Sequence, residues 1–244
     1  MHSLFKVVPI LLLFSTALAQ TTAPSSPLQW FDRNVGKENA SVYNGPIYIS
    51  QYRFDNVTHP YLVSDAFVQG NATYDGQFWP DLQLMYDIHT DVLVLKSEGA
   101  FSGMAISLIR DKTISFNIHD KTFVNLRALK DSLPDLISPG YYQQVTIAPT
   151  AFLYIKRHKH RREIIRNDKV FDSFTERDQL IFADGNTVVP VNTKKEIIRQ
   201  FPTQKSRIND YYQLHRDKFK NDHTDFTIDL MQYIFNSSHN QQSR

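Results

Sequence analysis

The side chains best suited to chemistry lie in one basic run. Between Lys156 and Arg166 stand Lys156, Arg157, Lys159, Arg161, Arg162 and Arg166, against Glu163 as the one acid. Guanidinium and ammonium groups at this density recognise phosphate and carboxylate. The run is therefore a candidate polyanion site with Arg157, Lys159, Arg161 and Arg162 as its expected contacts, and an anionic envelope polymer or lipid head group as its expected partner. The competing reading is a charged hairpin tip that keeps a strand edge in water. His158 and His160 stand two apart, so in a strand both imidazoles would point to one side. A zinc site needs a third and usually a fourth ligand, and no spacing brings His59, His89, His119, Asp87 or Asp91 to this pair. No metal and no cofactor is expected.

Carboxylates form a second set, at Asp75, Asp81, Asp87 and Asp91. Two of them in a cleft could run glycoside hydrolysis, but all four fall where turns favour Asp, whose side chain bonds nearby backbone. No Gly-x-Ser-x-Gly, His-Glu-x-x-His, Walker or dinucleotide pattern occurs. Phe78, Trp79, Tyr86, Tyr141 and Tyr142 could stack on a sugar. In alternating strands such rings more simply fill a core.

Elements that position these residues follow from composition and period. The chain has 244 residues with 41% hydrophobic and 21% charged, enough apolar content for a packed core. Cysteine is absent, which excludes disulfides, thiol catalysis and cysteine-ligated metal. Formal charge is only +2, but it is uneven. Residues 20–149 hold nine Lys/Arg and thirteen Asp/Glu, whereas residues 150–244 hold seventeen and twelve.

Residues 1–19 have the form of a secretory signal peptide. His2 and Lys6 precede the apolar stretch Val7–Phe14, and Ala17-Leu18-Ala19 is a small-x-small cleavage pattern. The stretch is short of the ~20 residues a spanning helix needs, and no later segment supplies one, so no transmembrane helix is expected after cleavage. The protein is expected to be exported, periplasmic or secreted. Export also makes nucleic acid an unexpected partner, and the lack of cysteine suits a bacterial envelope. Residues 20–43 read as a flexible leader, with a Thr-, Ser-, Pro- and Gln-rich stretch at 20–29.

From 44 to 191, short runs recur at close spacing: 46–52, 71–79, 82–88, 92–95, 104–109, 113–118, 121–126, 141–147, 152–157, 180–182 and 187–191. Turn residues such as Pro80-Asp81 and Asp184-Gly185-Asn186 separate them. This predicts antiparallel pairing, in a curled or barrel-like sheet. Over 192–235 the period changes. Thr193 and Glu196 fit a capping box, and Pro202 closes that first helix. Ile208, Tyr211, Tyr212, His215 and Phe219 mark a second helical stripe, and Phe226, Leu230, Tyr233 and Ile234 a third. The expected class is α+β, with three C-terminal helices packed on the sheet and a polar tail over 236–244.

Several of these segments together resemble a family of exported, β-rich Bacteroidetes proteins to which no activity is assigned. They are Asn44-Gly45-Pro46-Ile47-Tyr48, His59-Pro60-Tyr61-Leu62, Gly70–Gln77, Leu84–Ile88, Asp91–Leu95, Leu153–Arg157, Val189–Asn192 and Lys194–Ile198. The resemblance runs from about Asn44 to Phe235 and implies exported β-rich architecture, without a catalytic residue to carry over. The expected function is that of a soluble envelope protein acting as a non-enzymatic binding or structural module. The alternatives are an exported hydrolase of envelope polysaccharide, and a carrier or sensor of an amphiphile in a cavity of the sheet. If the signal peptide is cut as its pattern predicts, N-terminal sequencing of exported protein begins at Gln20; Met1 retained in a membrane fraction contradicts it.

Overall fold

The computed structural model describes residues 40–54, 57–97, 103–126, 136–185 and 187–242. The expected signal peptide and the leader before Ala40 lie outside them. In chain order the strands are β1 (Val68–Tyr74), β2 (Gln77–Asp87), β3 (Val92–Lys96), β4 (Ala105–Ser107), β5 (Thr113–Ile118), β6 (Lys121–Asn125), β7 (Tyr141–Ala148), β8 (Ala151–Lys156), β9 (Lys159–Arg166), β10 (Lys169–Glu176), β11 (Gln179–Asp184) and β12 (Thr187–Pro190). The α-helices are α1 (Lys194–Gln200), α2 (Lys205–Leu214), α3 (Arg216–Asn221) and α4 (His223–Gln242).

Ten strands make one antiparallel sheet in the order β12-β11-β8-β7-β6-β5-β1-β2-β3-β4, while β9 and β10 form a separate two-stranded sheet, with one isolated bridge from Asp172 to Phe54. Local chemistry sets the turns. Asp75-Gly76, His119-Asp120 and Asn167-Asp168 each place two successive residues at positive φ. That is the two-residue hairpin turn whose twist matches the strands it joins.

The sheet curls without closing. Tyr86 on β2 meets Phe123 on β6 with ring centroids 5.1 Å apart and Tyr141 on β7 at 5.9 Å, although β5 and β1 lie between these strands. Phe116 and Phe123 stack at 4.8 Å inside the curl. The barrel expectation is corrected here: β12 and β4 end the sheet unpaired with one another. Gln143 is in register with both Phe123 and Ile155, so the aromatic core and the helix-covered core share one face. On that face the apolar side of the helices, including Ile197, Ile208, Phe226 and Leu230, packs over β7, β8 and β11.

The helical region follows the expected period with one change. Thr193 and Glu196 form the capping box. The second stripe, however, is cut at His215, whose φ/ψ of −112/33 is not helical, so four helices replace the expected three. The break lets Phe219 meet Tyr212, His223 and Phe226 at 5.1–5.2 Å. Helix α4 continues to Gln242, into the segment expected to be a polar tail. At the other end, the expected leader contributes Ala40 and the fully buried Val42 to the aromatic core.

Strand assignments also change: the expected run 71–79 is cut by the Asp75-Gly76 turn between β1 and β2, and β9 and β10 form over 159–176, where no strand run is expected. Residues 46–52 touch the sheet through an isolated Ile47–Ile106 bridge, with Ile47 and Ile49 exposed. Pro80-Asp81 is no turn but an irregularity inside β2, opposite the register shift between Gly70 and Ala72. Asp81 takes φ 54° there, and an exposed bulge tolerates a proline that cannot donate to the ladder.

Burial raises the phenols of Tyr86 and Tyr141 well above their ordinary range. Tyr48 is raised too, by burial and then by its neighbours Tyr61 and Asp87. A phenol whose pKa is raised on folding contributes stability that is present below the unfolded value of about 10 and is lost as pH rises through the folded value. Tyrosinate absorbance from these residues is therefore expected to appear together with loss of native circular dichroism above about pH 10. Complete tyrosine titration with the native spectrum intact would contradict this burial.

Candidate functional site

The basic run leaves β8, crosses to β9 and divides on the way. Lys156 Nζ donates to Asp91 Oδ2 at 2.8 Å, tying β8 to the β2–β3 turn. Arg157 is buried; its Nε donates to Gln143 Oε1 at 2.8 Å and its Nη1 to Asp178 Oδ2 at 2.6 Å. Asp178 also accepts from the Thr224 hydroxyl of α4 at 2.9 Å. Lys159, buried as well, donates to the carbonyls of His59 at 3.1 Å and Tyr61 at 2.6 Å. Burial lowers the pKa of both Lys156 and Lys159 from the ordinary lysine value. Arg161 is half exposed, yet its Nε donates to Asp172 at 2.6 Å and its guanidinium lies over Tyr52. Of the four expected polyanion contacts, Arg157 and Lys159 are thus internal ties, Arg161 is engaged with carboxylates, and Arg162 is exposed. The reason is alternation: residues two apart share a face, and Lys159 and Arg161 face inward.

The β2–β3 turn is where these ties converge. Asp87 is fully buried; Oδ1 accepts from the backbone N–H of His89 and Thr90, and Oδ2 from the Tyr48 hydroxyl at 2.8 Å. Asp91 accepts from the Tyr86 hydroxyl at 2.6 Å and from Lys156, and Arg110 lies 3.5 Å away. His89 Nδ1 meets the Lys159 carbonyl at 2.8 Å. A carbonyl only accepts, so that ring nitrogen carries the proton. The His89 ring sits 5.3 Å from Tyr52, 5.6 Å from Phe174 and 5.9 Å from His158. The two other flagged carboxylates also hold the fold: Asp75 pairs with Lys112 and Asp81 accepts from Gln69. His158 is half-buried beside His89 and His160 is exposed. Among the described residues no three His, Cys, Asp or Glu side chains form a metal-holding group.

The register of β9 with β10 sorts the remaining charge. Glu163 opposes Asp172, and Lys159 opposes Glu176, on the inner face with Arg161 and Phe174. On the outer face Arg162 opposes Ser173, Ile164 opposes Phe171, His160 opposes Thr175 and Arg166 opposes Lys169. The outer face thus holds three full cations and a histidine and, among its strand residues, no carboxylate. Arg53 adds a fourth cation, its guanidinium 5.0 Å from the centre of the Phe171 ring. Arg162, Arg166, Lys169 and Arg53 are all exposed. Lys169 and Arg53 escape a search for basic runs because they lie outside the run. A signal for the hairpin was present, however: Asn167-Asp168, flanked by Ile164-Ile165 and Val170-Phe171, is a turn dipeptide between β-branched and aromatic pairs.

Trp79, Tyr86, Tyr141 and Tyr142 are core residues, and Phe78 alone of the flagged aromatics is exposed. One cleft of about 410 Å³ lies between the hairpin base and α4, lined by Glu176, Arg177, Asp178, Lys220, Asp222 and His223. Two of its carboxylates are already used: Asp178 in the ties above, and Asp222 in accepting the Asp225 N–H at the start of α4. No protein family, curated protein or solved structure was found to match the chain.

Gly140 shows how closely the ties are packed. It has φ +133°, and a Cβ there would stand 2.0 Å from Asp91 Oδ2 and 2.2 Å from Lys156 Nζ. Gly140→Ala is expected to lose about 2–4 kcal/mol in urea unfolding, from backbone strain plus displacement of the pair. Gly76→Ala, with φ +76° and open space around it, is expected to lose only about 1–2 kcal/mol. Equal losses would mean that the Asp91–Lys156 pair can move at no cost.

Proposed function

We propose that this protein is an exported, non-enzymatic binding module of a bacterial envelope, akin to the Bacteroidetes family it resembles, and that it attaches to an anionic envelope ligand through the outer face of the β9–β10 hairpin. The observation that carries this reading is the charge sorting: Arg162, Arg166 and Lys169 share a face from which Glu163, Asp172 and Glu176 are excluded by the pleat. Clustered cations with Arg53 over an aromatic ring suit phosphate or carboxylate groups displayed in a row. Binding at the surface is favoured over carriage inside the sheet because Tyr86, Phe116, Phe123 and Tyr141 fill the curl. It is favoured over hydrolysis because Asp75, Asp81, Asp87 and Asp91 each hold a structural partner.

The site is accordingly moved from Arg157, Lys159, Arg161 and Arg162 to Arg53, Arg162, Arg166 and Lys169. Replacing Arg162, Arg166 and Lys169 with Ser is expected to weaken binding to lipopolysaccharide by about fivefold per cation. Wild-type binding should fall steeply with salt, because exposed charges are screened over about 8 Å at physiological ionic strength. Stability should change by no more than about 0.5 kcal/mol per substitution. Replacing Arg157 and Lys159 should instead destabilise the fold. Equal lipopolysaccharide binding by wild type and triple variant at low salt would overturn the proposal.

A further inference from the structure

We infer that the tip of the β9–β10 hairpin is a membrane-surface wedge that seats in the head-group layer of an anionic bilayer. This deepens the binding function proposed above and rests on it. Ile165 and Val170 lie directly opposite each other, one residue pair back from the Asn167-Asp168 turn. They are 76% and 52% exposed. The pair nearer the turn is Arg166 with Lys169, and Arg162 follows along the outer face. The tip therefore carries an apolar pair on one side of the ribbon and a cation pair on the other, within two residues of its end.

Each half of this arrangement leaves something unexplained without the other. A cationic face alone is explained by any polyanion in solution, and such a ligand has no use for an adjacent Ile–Val pair. Solubility alone gives no reason to pair two exposed β-branched side chains across the ribbon beside the turn. A bilayer surface answers both when the ribbon lies in the head-group layer: its Ile165–Val170 side turns to the acyl boundary, while the long side chains of Arg166 and Lys169, on the other side, reach the phosphate groups. The inner end of the hairpin is fixed to the protein by Lys159, by the Arg53 N–H, which donates to Asp172 Oδ2 at 2.9 Å, and by the Asp172 N–H, which donates to the Arg53 carbonyl at 2.7 Å. The tip is thus presented on an anchored base.

The test uses full-length mature protein with three probes: phosphatidylglycerol/phosphatidylcholine vesicles, pure phosphatidylcholine vesicles and soluble dextran sulfate. Wild type is expected to co-sediment with the anionic vesicles and not with the neutral ones. Ile165→Thr with Val170→Thr keeps β-branched side chains in the strands. It is expected to weaken anionic-vesicle binding about tenfold, as two partly buried aliphatic side chains are lost from the interface. Dextran sulfate binding should stay unchanged. Arg162→Ser with Arg166→Ser and Lys169→Ser should lose both ligands. As an independent readout, Ile165→Trp should shift its emission to the blue on anionic vesicles. If the threonine variant binds vesicles as wild type does, or the tryptophan stays water-exposed, the wedge is refuted while the cationic site stands. If wild type binds neither anionic vesicles nor dextran sulfate, the binding function fails with it.

Discussion

Four consecutive residues, Lys156 to Lys159, join regions of the protein that the chain itself leaves far apart. Lys156 holds the β2–β3 turn through Asp91, Arg157 holds Asp178 and through it α4, and Lys159 holds the backbone at His59 and Tyr61. His158 adds its own N–H to Asp178 and its ring to His89. Burying such charges is expensive, and an apolar replacement of the same shape often does as well. Removing one partner alone is different, because it strands the other charge away from water. These contacts therefore constrain where the sheet, the hairpin and the helices meet more than they add to net stability.

The rest of the structure fits around that constraint. The curl of the sheet carries the β2–β3 turn to β8, and the same curl brings Tyr86 against Tyr141. Tyr86 then donates its hydroxyl to Asp91, so the aromatic core and the ion pair share one carboxylate. Gly140 is required where backbone passes within a side chain's reach of that pair. Within the run, Lys156, Arg157 and Lys159 are committed to the interior, while the outer-facing Arg162 and Arg166 lie at the surface. One stretch of sequence thereby serves two purposes, divided along β9 by the face to which each residue points.

Much of this order was legible in the residues. Strands β3 to β8, β11 and β12, the Asp75-Gly76 turn and the Thr193–Glu196 capping box follow from local chemistry, which sequence displays directly, whereas the β9–β10 hairpin matches none of the expected strand runs. The structural roles of Asp75, Asp87 and Asp91 at turns were legible for the same reason, whereas Asp81 sits in a bulge of β2 and not in the expected turn. What sequence concealed depended on distant partners. Nothing near Arg157 or Lys159 reveals that Asp178, Thr224 or the carbonyls of His59 and Tyr61 will surround them, so a dense basic run looks like open surface. The Ile47–Tyr52 alternation matched a strand but found only a single bridge. The helical stripe through His215 was read as continuous because periodicity is blind to one non-helical residue.

Arg157 is a tie within the fold and not a surface contact. A double-mutant cycle on Arg157 and Asp178, read by urea unfolding, tests this most directly. Arg157→Met and Asp178→Leu should each lose about 3–5 kcal/mol, the loss that follows from stranding a buried charge. The double variant should lose less than their sum by more than about 1 kcal/mol, since neither charge is then left alone. Single losses below about 0.5 kcal/mol that simply add would place Arg157 at the surface and contradict the account.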